Sequence, residues 1–158
     1  MQVSLSKEIL LHCCHSTTWA DKLLQSMPFS SRKEILKKAE KIWFSLSERD
    51  WLEAFAAHPK IGDVNSLKKK FGSIKTAAAQ EQMGVNSADE KTLEDLALFN
   101  HNYEKKFGFI FIVFATGKSA QEMLKILKTR IENSRKDELN NAAKEQCKIM
   151  RLRLEKKL

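Results

Sequence analysis

The stretch Ser31–Leu46, SRKEILKKAEKIWFSL, decides how this chain folds. Ile35, Ala39, Ile42, Trp43 and Leu46 recur at spacings of three, four and seven residues. On a helix of 3.6 residues per turn these positions stack on one face, whereas a half-buried strand would alternate every second residue. Ser30 and Ser31 lead into the segment, and hydroxyl side chains there can cap the unpaired amides of a first turn. An amphipathic helix with Trp43 on its apolar face is the reading.

The same signal extends outward in both directions. Upstream, Ser4 or Ser6 caps a helix carrying Ile9, Leu10, Cys13 and Cys14, and Thr17 or Thr18 opens a second with Trp19, Leu23 and Leu24, closed by Pro28. Downstream, Ser47 with Asp50 three residues on resembles a capping box for a helix bearing Trp51, Leu52 and Phe55. That helix ends near His58, because the residue before Pro59 is pushed out of the α region. Pro59–Asp63 reads as a loop, Thr76–Met83 as a modest helix stopped by Gly84, and Ser87–Lys106 as a long one. Phe107-Gly108-Phe109 breaks it, and the apolar run Ile110–Phe114 fits either a buried strand or a buried helix segment. Ser119 with Glu122 caps the next helix, and Ser134 or Asp137 starts the last, with Leu139, Ala143, Cys147, Met150 and Leu154. The expectation is an all-α chain, residues 1–158 forming a single compact domain of about eight helices.

Composition agrees. In 158 residues, 42% hydrophobic and 30% charged content is that of a globular chain, and 5 Gly with 2 Pro leave little material for a turn-rich β fold. Nowhere do 18 apolar residues run together, so no membrane span or membrane partner is expected. The first ten residues lack the apolar stretch of a signal peptide. Three cysteines, with no C-x-x-C pair, do not make a disulfide framework and fit a reducing, cytoplasmic setting. His12-Cys13-Cys14-His15 resembles a metal cluster, but neighbours on a helix point about 100° apart and cannot converge on one ion. No metal is expected.

The formal net charge of +8 is the unusual number. It gathers in residues 60–75, with 5 Lys against 1 Asp, and in 121–158, with 11 Lys and Arg against 6 Asp and Glu. In the second stretch the signs interleave, as on a solvated helix face. Lys68, Lys69 and Lys70 could hold a nucleic-acid backbone, which needs only positive charge. No helix-turn-helix, zinc module or aromatic stacking platform accompanies them, and no nucleic acid is expected as partner. Gly117-Lys118-Ser119 has the setting of a P-loop, but Ile112 stands where that motif needs a glycine.

His58 is the most informative residue. It sits at a helix end before a proline, with Gly62 and Asp63 following in a tight loop. A histidine there can satisfy the last helix carbonyls, or be displayed for chemistry on a loop held by rigid helices. Glu81-Gln82, beside Gly84, forms a second polar pair able to hold a ureido or imide group, or simply a surface helix end.

Several ordered stretches together resemble one family. Ala57-His58-Pro59-Lys60-Ile61-Gly62-Asp63 comes first, followed by Glu81-Gln82-Met83-Gly84-Val85. Asn100-x-x-Tyr103-x-x-Lys106-Phe107-Gly108-Phe109-x-Phe111 then precedes Arg130-x-x-Asn133, Glu138 and Lys148-Ile149-x-x-Leu152-Arg153-Leu154. They are similar to the signatures of 2-oxo-4-hydroxy-4-carboxy-5-ureidoimidazoline (OHCU) decarboxylases, over nearly the whole chain. The resemblance implies an all-helical, cofactor-independent enzyme that decarboxylates an anionic ureidoimidazoline to (S)-allantoin at the end of urate breakdown. It also implies a homodimer.

Position by position, the resemblance makes His58 the catalytic histidine, with Pro59 beside it at the substrate. Glu81, also placed among the catalytic groups, and Gln82 become the substrate-contacting acid and amide. Phe111, Ile112, Val113, Phe114 and Ala115 correspond to the segment whose backbone approaches the substrate ring. The C-terminal arginine is Arg153 or Arg151. Ala78 stands where family members commonly carry serine; a missing buried hydroxyl contact costs about 1–3 kcal/mol, or roughly one to two decades in kcat/KM.

Overall fold

A computed structural model describes residues 5–58 and 87–158, and among them are seven α-helices and no strand. They are α1 Lys7–Cys13, α2 Thr17–Gln25, α3 Arg32–Ser45, α4 Glu48–Ala56, α5 Ser87–Phe107, α6 Ala120–Arg130 and α7 Arg135–Glu155. The fold is all-α, as the periodicity indicates. The helix expected over Thr76–Met83 lies outside the described residues, as do the Pro59–Asp63 loop and the Lys68–Lys70 run. The chain groups into two units, one of Met1–His58 with Leu139–Leu158 and the other of Pro59–Glu138.

In the first unit the helix starts are set by serine. Ser6, Ser16 and Ser31 each accept a hydrogen bond from the amide three residues on, the geometry that satisfies an orphan donor of the first turn. Ser47 departs from the expected capping box. Its hydroxyl makes no cap bond and instead donates to Asp50 Oδ2 at 3.1 Å, while Thr18 donates to Asp50 Oδ1 at 3.0 Å. A carboxylate is the stronger acceptor, and here it also ties α4 to α2.

The core of this unit is organised by tryptophans. Trp19 and Trp43 are fully buried, and each indole N–H finds a helix carbonyl: Trp19 donates to Ala39 at 3.0 Å and Trp43 to Ala143 at 2.9 Å. Alanine at both acceptor positions lets an indole approach the helix backbone. Trp51 donates to the Trp43 carbonyl at 2.9 Å, and Phe55 meets Trp43 edge-on with centroids 6.5 Å apart. Aromatic pairs of this kind add about 0.5–1.5 kcal/mol beyond the area they bury.

The second unit is built on α5 and α6. Leu93, Leu96, Tyr103 and Phe107 of α5 and Met123, Leu124 and Leu127 of α6 are buried. α5 stops at Gly108, whose φ of 83° lies in the left-handed region that a side chain disfavours. Ser119 caps α6 by accepting from Glu122 N at 3.1 Å, as its sequence setting indicates. Ile110–Phe114 is neither strand nor helix: between α5 and α6 the chain runs without regular structure, with Phe111 and Ile112 buried. With no strand beside it among the described residues, its backbone is held by side chains. Of the two expected starts for α7, Ser134 is the cap and accepts from Asp137 N at 3.2 Å.

Candidate functional site

Helix α4 positions His58. Phe55, only 1% exposed, anchors its last turn, and His58 N donates to the Phe55 carbonyl at 3.2 Å. The imidazole is half-buried, and its Nε2 is hydrogen-bonded to Gln146 Oε1. Gln146 is itself buried, on the face of α7 that also carries Ala143, Cys147 and Met150. The Gln146 amide fixes the ring and adds no charge of its own.

The two candidate arginines differ in surroundings. Both are exposed, but Arg151 is engaged in ion pairs, its Nη1 3.3 Å from Glu40 Oε2 and its Nε 3.3 Å from Glu155 Oε1. Arg153 reaches the His12 carbonyl at 3.5 Å, the outer edge of hydrogen-bonding range. Helix periodicity separates them further. Arg153 is seven residues from Gln146, nearly two full turns and therefore on the same stripe, whereas Arg151 at five residues is turned about 140° away.

Phe111, Ile112, Val113, Phe114 and Ala115 form the irregular segment of the second unit. Three donors hold its carbonyls: Arg130 Nη1 at 2.6 Å from Ile112 O, Lys118 Nζ at 2.7 Å from Phe114 O, and Lys118 N at 3.0 Å from Ala115 O. Arg130 is held in turn by Glu138, which is fully buried. Glu138 Oε1 accepts from Arg130 Nε at 2.8 Å and from the Tyr103 hydroxyl at 2.6 Å, and Oε2 accepts from Asn133 Nδ2 at 2.9 Å. The guanidinium also lies 4.7 Å from the Phe111 ring centroid. Burial, and then the bond to Glu138, push the Tyr103 phenol far above its ordinary range, so it stays a neutral donor.

Pro59, Ala78, Glu81 and Gln82 lie outside the described residues. Gln146 carried no role in the sequence reading. Its signal is present, since a glutamine interrupts a stripe whose helical period calls for apolar residues. Arg130 and Glu138 appear in the quoted motifs but received no task, because nothing local joins an arginine to a glutamate eight residues on in the next helix.

Other chemistries find little support. Cys13, Cys14 and Cys147 are free and buried. Burial pushes all three thiols up, Cys147 to about 11 and Cys14 further, which keeps them protonated and poor nucleophiles. Cys13 and Cys14 point inward while His12 and His15 are exposed, and among the described residues no group of three or more His, Cys, Asp or Glu could hold a metal ion. Nor, among them, is any helix long and apolar enough to cross a membrane.

Comparison with known proteins adds an independent line. A family model described as OHCU decarboxylase matches residues 1–155. The uric acid degradation bifunctional protein TTL of Arabidopsis thaliana is 40% identical over 145 residues, which cover 91% of this chain and 44% of that protein. The uric acid degradation bifunctional protein PucL of Bacillus subtilis (strain 168) is 29% identical over 140 residues, covering 89% of this chain and 27% of the other. The chain thus spans less than half the length of these curated relatives. A crystal structure of an OHCU decarboxylase in the presence of (S)-allantoin superposes with a TM-score of 0.76 at 38% identity, over 96% of this chain and 97% of that one.

Proposed function

This chain belongs to the OHCU decarboxylase family, and we propose that it catalyses the stereospecific decarboxylation of 2-oxo-4-hydroxy-4-carboxy-5-ureidoimidazoline to (S)-allantoin in urate breakdown, without a cofactor. The single observation that carries this at the level of residues is the hydrogen bond between His58 and the buried Gln146. It places the histidine of the family motif against the helix whose same stripe presents Arg153.

The chemistry asks for four things. The anionic substrate must be attracted, the carbon–carbon bond to its carboxylate must break, the electron pair left behind must go somewhere, and a proton must return to one face. Carbon dioxide leaves, and the pair passes into the substrate's own unsaturated ring. A proton delivered to the ring carbon bearing the ureido group then completes (S)-allantoin. In this reading Arg153 meets the substrate's negative charge, since Arg151 is already shared between Glu40 and Glu155. His58 engages the carboxylate or hydroxyl and moves the proton, the part an imidazole most often takes in general acid–base catalysis. The segment Phe111–Ala115 takes the part its motif assigns, and donors aimed at the developing oxyanion lower the barrier. Glu81 and Gln82, with Pro59, take the roles their motif assigns, holding the ureido group and selecting the face. The reading carries a cytoplasmic location, consistent with three free thiols. It also takes the chain as one catalytic domain that pairs with a second copy and needs no nucleic acid.

The test is circular dichroism of (S)-allantoin formation from enzymatically oxidised urate. The full chain should accelerate formation over the spontaneous decay, and His58→Asn should fold normally and lose that acceleration. Near-native turnover by His58→Asn would remove the assignment.

A further inference from the structure

The geometry points to Gln146 as the positioning residue that sets the tautomer of His58: it holds the ring proton on Nε2 and so makes Nδ1 the basic nitrogen. Three observations converge. Gln146 Oε1 faces His58 Nε2. A carboxamide oxygen only accepts, so the nitrogen opposite it carries the hydrogen. Gln146 is 1% exposed, on the same helix stripe as Ala143, Cys147 and Met150, so its side chain has few other places to go.

Neutral imidazole exists as two tautomers, and the group bonded to one nitrogen decides which nitrogen is left basic. A carboxylate at this position would do the same while also favouring the imidazolium. An amide orients the ring while adding no charge of its own, which suits a group that must take up and release a proton within one turnover. The inference rests on His58 acting in the proposed decarboxylation, but the tautomer is a property of the resting protein.

Long-range 1H–15N correlation spectra of the labelled full chain, above the ordinary range of histidine at roughly pH 8.5, test it directly. The His58 signals are identified by their loss in His58→Asn. The wild-type ring should carry its proton on Nε2, Gln146→Leu should give a tautomer mixture, and Gln146→Glu should keep the proton on Nε2. Kinetically, Gln146→Leu should lower kcat about 10- to 100-fold with KM changed by less than about threefold, and Gln146→Glu should recover part of it. A proton on Nδ1 in the wild type overturns the inference, with no variant needed. So does an unchanged tautomer in Gln146→Leu, or full turnover by Gln146→Leu when His58→Asn is inactive. Full turnover by His58→Asn overturns the catalytic reading and this inference with it.

Discussion

Arg130 Nε donates to Glu138 Oε1 at 2.8 Å with side chains 9% and 0% exposed, and the same guanidinium donates to the Ile112 carbonyl. A buried pair of this kind recovers its desolvation only when its remaining hydrogen-bonding groups are satisfied. Here Tyr103, Asn133 and Ile112 satisfy them, so the ion pair and the irregular segment Phe111–Ala115 are held as one network.

Removing one partner therefore leaves an uncompensated buried charge. Arg130→Met and Glu138→Leu are each expected to destabilise the fold by about 3–5 kcal/mol, and the double variant by clearly less than the sum. Urea unfolding monitored by tryptophan fluorescence measures all three. Additive losses would show that the two side chains are not coupled.

The arginines of the last helix should separate functionally. Arg153→Gln is expected to lower kcat/KM for decarboxylation by roughly one to two decades, the range of a charge-assisted contact worth about 1.5–3 kcal/mol. Arg151→Gln should leave turnover within about twofold and cost less than about 1 kcal/mol of stability, because its pairs with Glu40 and Glu155 are exposed. Initial rates on freshly generated substrate decide between them, and equal losses would refute the distinction.

The buried thiols set an alkaline limit. The folded-state values are raised, so the native protein retains protons that the unfolded chain releases. Their contribution is complete below the unfolded thiol value, about 8.5, and declines as pH rises from there towards the native value, about 11 for Cys147. Urea midpoints should be flat from about pH 7 to 8 and fall above about pH 9, less steeply in Cys147→Ala. An aromatic disulfide reagent at about pH 8 should label the thiols only as fast as the protein opens.

Ala78 offers a gain-of-function test. Ala78→Ser supplies the hydroxyl common in the family and should raise kcat/KM by about 10-fold or more. An unchanged or lower value in a folded variant would mean that the site does not use a hydroxyl there.

The comparison between chain and fold turns on particular elements. Helices α3 and α6 are legible because their signals are local: hydroxyl caps at Ser31 and Ser119, and an apolar stripe at helical spacing. The cap of α2 is Ser16 rather than the expected Thr17 or Thr18, but its stripe is legible too. The run Ile110–Phe114 was not, since an apolar stretch of five reads equally as strand or helix, and its actual path depends on carbonyl partners supplied by Arg130 and Lys118. His58 stood out through Pro59 and the motif around it, while its partner Gln146 lies 88 residues away.

What the amino-acid order by itself determined is the helical class, the helix starts and the motif residues that identify the family, because each depends on neighbours within a few turns. Only the tertiary structure decided which polar groups meet: His58 with Gln146, and Arg130 with Glu138 and Ile112. Such pairs form where burial removes water as a competing partner, and which groups are buried together is settled by the packing of whole helices.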